Sequence, residues 1–344
     1  MAATMRDVAK RAGVSIRTVS NVVSDRPYVS DGMRQRVLQA IEDLDYRPNT
    51  IARTLRTGRT WMLALIVPEI DRPYFSGLAR NVIDAAADFG YRVMIDQTGH
   101  DHDRERELLT RGDRTMLFDG VLFSPLVTKA ELLEMRGSRS VPLVLLGEYT
   151  FDGQYDHVAI DNAHAARQAV THLVDTGRTR IATIGSQPQE EYSTPLQRAA
   201  GYEAALRDAG FDPLPAYQLP STNYSRADGY QAAEKLLAVT PRPDAIFCFS
   251  DLLAIGAMAA IHDAGLNVPA DVAVIGIDNT EEGRYTRPSL SSVSIDIPFI
   301  AREAVRRVTA RIDNPELPAS QTLVPHHVIP RQSTVPDAEP TRDN

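Results

Sequence analysis

The stretch Thr4–Asn21, TMRDVAKRAGVSIRTVSN, decides how the N-terminal part of the chain is read. Thr4 is a helix-capping residue, and Asp7 follows three positions later, beside the positive helix end. Val8, Ala9 and Ala12 recur on one face, and Gly13 stands where a left-handed residue closes a helix. Ser15 then caps a second helix, from Ile16 to about Val22. Two helices joined by two or three residues, with the small Ala9 allowing close approach, form a helix-turn-helix. Val14, Val19 and Val22 face a small core, and Ile16, Arg17, Thr18 and Asn21 face outward. Arg can bond guanine bidentately, Asn can bond adenine, and Ser or Thr can reach phosphates. A small helical domain with merely solvated polar residues has the same pattern.

Working outward, Ser30 caps a third helix in which Val37, Leu38, Ile41 and Leu44 form a stripe at helical spacing, ended by Tyr46 and Pro48. Next comes Asn49–Thr57, NTIARTLRT, with two Arg and a lone Leu55. It is too short to stand as an isolated helix in water. It reads as a hinge that folds on docking, with Leu55 able to wedge into a minor groove, or else as a plain linker. Charge sets this head apart. Residues 1–60 carry a net of +5 and the rest −13, within a chain of 344 residues and net −8. A basic head on an acidic body points to an anionic partner for the head alone.

From Trp61 onward apolar strands alternate with amphipathic helical stretches. The strands are Met62–Val67, Tyr91–Ile95, Gly120–Phe123, Leu143–Leu146, Ile181–Gly185, Ala245–Phe249 and Val272–Ile277. Continuous apolar strands with helical crossovers imply parallel sheets covered on both faces. Two such series, breaking near Asp161, imply two doubly wound subdomains, with a ligand in the cleft between the strand ends. The strand ends carry Asp71, Tyr74, Phe75, Glu148, Tyr149, Asp161, Asn162, Tyr192, Thr194, Ser250, Asp251, Asp278 and Asn279. Carboxylates, amides and aromatics suit a neutral polyhydroxylated ligand, although Asp and Asn at strand ends also serve as turn and cap formers.

DVAKRAGVS (7–15), TVS (18–20), RQRVL (34–38), YRPN (46–49) and ARTLRTG (52–58) together resemble the head and hinge of the LacI/GalR family of bacterial transcription regulators. The likeness runs to about residue 335. It implies an all-α helix-turn-helix head (1–48), a hinge (49–60) and an α/β core (61–335) similar to periplasmic sugar-binding proteins. In that core one subdomain takes about 61–160 and 291–320, the other about 161–290 and 321–335, and a disordered tail takes 336–344. The resemblance implies a homodimeric repressor on a palindromic double-stranded operator. Ile16, Arg17 and Asn21 would read bases, Thr4, Ser15 and Thr18 would hold phosphates, and Ala52 and Leu55 would lie in the hinge. QRAAGY (197–202) and IGIDN (275–279) place Arg198 and Asp278 at the family's effector-contacting Arg and Asp. FSDLLAIG (249–256) places Ser250 and Asp251 at the cleft, and NYSRADGY (223–230) places Tyr224 where an aromatic stacks on the ligand. Tyr74 and Phe75 match the aromatic pair after the first strand. The chain departs from the family at Asn21, where many members carry Arg, and at DNAHA (161–165), where a Gly is usual.

The composition excludes several classes. The single Cys rules out a disulfide scaffold and multi-Cys metal sites. The longest apolar run, Trp61–Pro68, is far short of the ~18 residues of a membrane helix. MAATMRDVAKRAG holds no apolar stretch of the kind a signal peptide needs, so a cytoplasmic protein is expected. His100 and His102 lack a third ligand at metal spacing, and the adjacent His326 and His327 face opposite sides if on a strand. Cys248 reads as a core residue. There is no GxSxG, HExxH, Walker A or GxGxxG motif, so neither enzyme chemistry nor a cofactor is expected. A solute-binding protein or an enzyme on the same core are the alternatives. Sugars lead as effectors, with purines and other small metabolites also open.

Overall fold

In the computed structural model the described residues are 3–23, 28–46, 58–99, 101–110, 117–125, 141–147, 153–187 and 194–336. The chain divides into two units, residues 1–60 and 61–344. The predicted hinge, except for its last three residues, and the tail beyond residue 336 fall outside the described residues.

The head contains α1 (Met5–Ala12), α2 (Ile16–Val23) and α3 (Asp31–Asp43). Thr4 and Asp7 form a reciprocal capping box: the Asp7 amide donates to Thr4 Oγ1 (3.3 Å) and the Thr4 amide to Asp7 Oδ2 (2.9 Å). Hydrogen bonds from the Thr4 side chain and backbone hold the Asp7 carboxyl below its usual range. Gly13 closes α1 at φ 65°, a left-handed conformation that costs a side-chain-bearing residue. Ser15 accepts from the Thr18 amide at 3.1 Å, capping α2 as expected. Val8, Ala9, Ala12, Val19, Val22, Val37, Ala40 and Tyr46 are buried together. Two expectations for α3 are corrected. Ser30 starts the helix without a side-chain cap bond. Leu38 is 52% exposed, because helical spacing from Val37 puts Ala40 and not Leu38 on the inner face.

The second unit holds two six-stranded sheets. The first is formed by β1 (Met62–Val67), β2 (Arg92–Gln97), β3 (Gly120–Phe123), β4 (Leu143–Gly147), β5 (Asp156–Ala159) and β11 (Gln321–Leu323), in the order β11-β5-β4-β3-β1-β2. Its strands are all parallel. The helices α4 (Pro73–Asp88) and α5 (His102–Thr110) connect its early strands.

The second sheet contains β6 (Ile181–Ser186), β7 (Gln218–Pro220), β8 (Ala245–Cys248), β9 (Ala273–Ile277), β10 (Ser291–Ile295) and β12 (His326–Ile329), ordered β12-β10-β9-β8-β6-β7. Only the edge strand β12 runs antiparallel to its neighbour. Its helices are α6 (Asn162–Asp175), α7 (Thr194–Asp208), α8 (Arg226–Leu237), α9 (Asp251–Asp263) and the short α10 (Glu281–Tyr285). α8 and α9 pack backbone to backbone: a Cβ on Gly256 would stand 1.9 Å from the Arg226 carbonyl oxygen.

The subdomain boundaries after residue 290 differ from expectation. Residues 291–295 form β10 in the second sheet, and 321–323 form β11 in the first. The sequence SLSSVSI hid β10 because its serines are buried by hydroxyl pairing rather than by apolarity. Ser291 Oγ donates to the Arg331 carbonyl (3.0 Å) and Ser292 Oγ to Asp251 Oδ1 (2.6 Å). The chain returns to the first subdomain as α11 (Ile297–Asp313), which packs on α4 and under β3. Asp156 ties that helix to β5, with Arg311 Nε at 2.6 Å and Arg307 Nη1 at 3.4 Å. Three crossovers, after β5, after β10 and between β11 and β12, are bonded to one another. The Val324 amide donates to the Ala159 carbonyl (2.8 Å) and the Asp296 amide to the Pro325 carbonyl (3.2 Å).

Candidate DNA-reading face and effector cleft

On the head, α2 presents Ile16 (44% exposed) and the exposed Arg17, with Thr18 and Asn21 partly exposed beside them. Ser15 Oγ and Thr18 Oγ1 lie 2.9 Å apart, and Thr4 is engaged with Asp7. Arg6, Lys10, Arg17 and Arg36 are exposed cations on the same small unit. Ala52 and Leu55 lie outside the described residues.

In the core the predicted effector residues gather where the parallel strands end. Tyr74 and Phe75 occupy the first turn of α4, ring centroids 5.1 Å apart and edge to face. Arg198, on α7, is only 6% exposed. Its Nε donates to Asn162 Oδ1 at 2.8 Å and its Nη1 donates to the Phe249 carbonyl. No carboxylate pairs with it among the described residues, so neutral oxygens hold a buried cation in place. Asn162 is fully buried at the start of α6, directly after the first crossover. Asn162, expected only as a strand-end residue beside Asp161, is thus the support beneath Arg198, and its place at a strand break is the sequence signal for it. Thr194 begins α7 and is partly buried. Tyr224, at φ 52°, donates its hydroxyl to the Gly185 carbonyl at 2.7 Å, which fixes its ring beside the end of β6.

Asp278, directly after β9, has φ 108°, and Asn279 has φ 52°. Both are left-handed conformations that non-glycine residues avoid unless their surroundings dictate them. The surroundings do so here. The Asn279 amide donates to Ser292 Oγ (3.0 Å), its Nδ2 donates to Ser294 Oγ (3.2 Å), and its Oδ1 accepts from the buried Arg331 (2.7 Å).

Three predicted cleft residues make scaffold bonds. Asp251 is fully buried and does not line the cleft. Its oxygens accept from the Thr280 amide (2.7 Å), Thr280 Oγ1 (3.2 Å) and Ser292 Oγ (2.6 Å). Burial pushes its carboxyl up to about 7, against the opposing effect of those bonds. Asp161 Oδ1 accepts from the His164 amide at 2.9 Å, capping α6. Ser250 is 7% exposed and caps α9 through the Leu253 amide. Chain geometry explains Asp161 and Ser250, because a helix following a strand needs its first amides satisfied, whereas Asp251 ties the start of α9 to the segment after β9 and to β10. Glu148, Tyr149 and Tyr192 lie outside the described residues.

Among the described residues no group of three or more His, Cys, Asp or Glu is placed to hold a metal ion, and no helix is long and apolar enough to cross a membrane. His100 and the His102 side chain lie outside the described residues. His326 meets His164 across 2.8 Å. Cys248 is fully buried, which pushes its thiol well up.

A three-helix head with an exposed second helix, joined to a two-sheet core with polar and aromatic residues at its strand ends, is the architecture of a DNA-binding transcription regulator. The chain belongs to the lacI family of bacterial regulatory proteins. The family's head model matches residues 4–49, and a periplasmic binding protein-like domain model matches residues 170–334. The chain is 35% identical to the catabolite control protein A of Priestia megaterium, over 97% of this chain and 100% of that protein. It is also similar to the transcriptional regulator CelR in complex with cellobiose, with 30% identity, 96% and 99% coverage and a TM-score of 0.71. The lac repressor dimer bound to operator shares its fold, with a TM-score of 0.84, 97% and 99% coverage, and 23% identity. The protein is a transcriptional regulator and not an enzyme.

Proposed function

We propose that this chain is a cytoplasmic repressor that binds a near-palindromic operator as a homodimer, and that a sugar in the core cleft sets its DNA affinity. On the head, Ile16, Arg17 and Asn21 read major-groove edges, while Thr4, Ser15 and Thr18 hold phosphates. Ala52 and Leu55 belong to the hinge, where Leu55 wedges into the minor groove. In the core, Arg198, Asp278, Tyr74, Phe75, Tyr224 and Thr194 meet the effector, together with Glu148 and Tyr192.

The observation that carries this reading is the Arg198–Asn162 bond of 2.8 Å. Arg198 stands at the cleft, and Asn162 is the first helical residue after a crossover between the subdomains. A ligand that bonds the guanidinium therefore acts on the crossover directly. A guanidinium fork suits adjacent ring hydroxyls, and Tyr or Phe faces suit the apolar side of a sugar. CelR's complex with cellobiose makes that disaccharide the first compound to try.

The test is a thermal-melt screen of the purified protein against mono- and oligosaccharides including cellobiose, nucleobases and sugar phosphates. A ligand at ~100 times its dissociation constant adds about 2.7 kcal/mol, a readable shift. A sugar hit supports the reading, and a hit only among nucleobases transfers the site to purines. In parallel, an operator is selected from random duplexes. Linkage then requires the ligand to alter operator affinity by the factor by which operator alters ligand affinity. Equal affinities with and without operator exclude control by that ligand.

A further inference from the structure

The loop between β1 and α4 contains a cation absent from the expected site. Arg72 stands at the N-terminal position of α4 directly before Pro73, Tyr74 and Phe75, without a side-chain cap bond, and its side chain is 19% exposed. Its Nε donates to Glu69 on the same loop. Its Nη1 donates to the Tyr224 carbonyl at 3.3 Å, and its Nη2 donates to the Asn223 carbonyl. One guanidinium of the first subdomain thus holds two successive carbonyls of the second.

Both ends of this contact are anchored. On its own side, Glu69 orients the guanidinium, and the Ile70 amide donates to Gln97 Oε1 (3.3 Å), fixing the loop to the end of β2. Across the cleft, the Asn223 amide donates to Asp228 Oδ2 (2.8 Å) and the Tyr224 amide to Ser221 Oγ (3.1 Å). The Tyr224 hydroxyl donates to the Gly185 carbonyl (2.7 Å). With neither anchor free to follow the other, moving the subdomains apart must break the Arg72 bonds.

The topology shows where these bonds act. All three crossovers run at one side of the core, through β5 and β11 of the first sheet and β10 and β12 of the second. The contact joins the loop after β1, next to the opposite edge of the first sheet, to the loop after β7, the opposite edge strand of the second. Crossovers on one side and Arg72 on the other make a hinge and a clasp.

We propose that Arg72 is a positioning residue of the cleft: its guanidinium clasps the mouth between the subdomains and must release the Asn223 and Tyr224 carbonyls when the cleft opens. The proposal deepens the reading of the cleft as the effector site. A ligand would gain Tyr224 and the Tyr74–Phe75 pair as walls only when the mouth is closed. Arg72 therefore sets the closed fraction, and apparent affinity scales with that fraction.

The test needs no ligand, so its outcome is independent of the sugar screen. Nitroxide labels are placed at the exposed α4 and α8 positions through Arg80→Cys and Glu234→Cys, and the native Cys248 is buried beyond labelling. Labelled chain is mixed with excess unlabelled chain so that only distances within one subunit are read. Electron double resonance of the otherwise native protein is expected to give one short distance. Arg72→Met should shift or broaden it to longer distances. Arg72→Lys, whose single ammonium cannot match a fork to two carbonyls and Glu69, should fall between. Superimposable distributions for native and Arg72→Met protein overturn the clasp, as does a native protein already at the long distance. If Arg72→Met fails to fold, as judged by its melt, Arg72→Lys and Glu69→Gln are read by the same criteria.

Discussion

At the residue scale, Arg17 and Arg198 are cations in opposite settings. Arg17 is exposed on α2, and its cost is paid only when a base edge replaces water. Arg17→Ala should therefore cost ~1–3 kcal/mol of operator binding and relax selection at one base pair, read by binding to single-substituted duplexes. An equal loss on every duplex would show a phosphate contact instead. Arg198 is buried among neutral oxygens. Arg198→Lys keeps the charge but loses the fork, so any sugar stabilisation in the melt should fall by at least the ~1 kcal/mol of a lost hydrogen bond, with operator binding by the free protein preserved. Both arginines were legible from motif position. That Asp251 is buried and Asp161 a cap was not, because a sequence shows that a carboxylate follows a strand but not whether it meets a backbone amide or solvent.

At the element scale, helix ends and helix contacts decide the behaviour. Glu303 on α11 is held to about 2, chiefly by hydrogen bonding from Arg306, with Arg307 adding to it and burial opposing. A carboxyl lowered in the folded state contributes stability that is present above its unfolded value and lost as pH falls through the folded one. The loss should therefore run from about pH 4.5 down to about 2, and Glu303→Gln should flatten that acid limb in denaturation measured across this range. An unchanged limb would show that Glu303 is equally paired in the unfolded chain. The α8–α9 contact gives a second test. Gly256→Ala puts a methyl against the Arg226 carbonyl and should lower core stability by about 1–3 kcal/mol, checked by urea denaturation of the core signal. Most strands were legible as apolar runs. β5, β7, β10, β11 and β12 were not, because they carry buried Asp, His or Ser or are short strands at a sheet edge.

At the scale of the whole molecule, two units carry different tasks, and the crossovers are the only covalent route between the two sheets of the core. On the proposed reading, a ligand that changes the angle between those sheets acts on the head through the hinge. Leu55→Ala should then reduce both operator affinity and DNA bending, while the core's response to ligand in the melt stays unchanged. A circular-permutation gel with an unaltered bend would refute the wedge.

The sequence by itself determined the head, its caps at Thr4 and Ser15, the alternation of strand and helix and the family. These depend on local spacing, on which residues cap, and on which face is apolar, and such information is carried by neighbours within a few positions. Only the tertiary structure decided the assignment of 291–295 and 321–323 to their sheets, the burial of Asp251, the Asn162 support beneath Arg198 and the Arg72 bridge. Each of these joins residues separated by about sixteen to more than one hundred and sixty positions. Their partners are fixed by how two sheets are threaded by three crossovers, which no window of sequence contains.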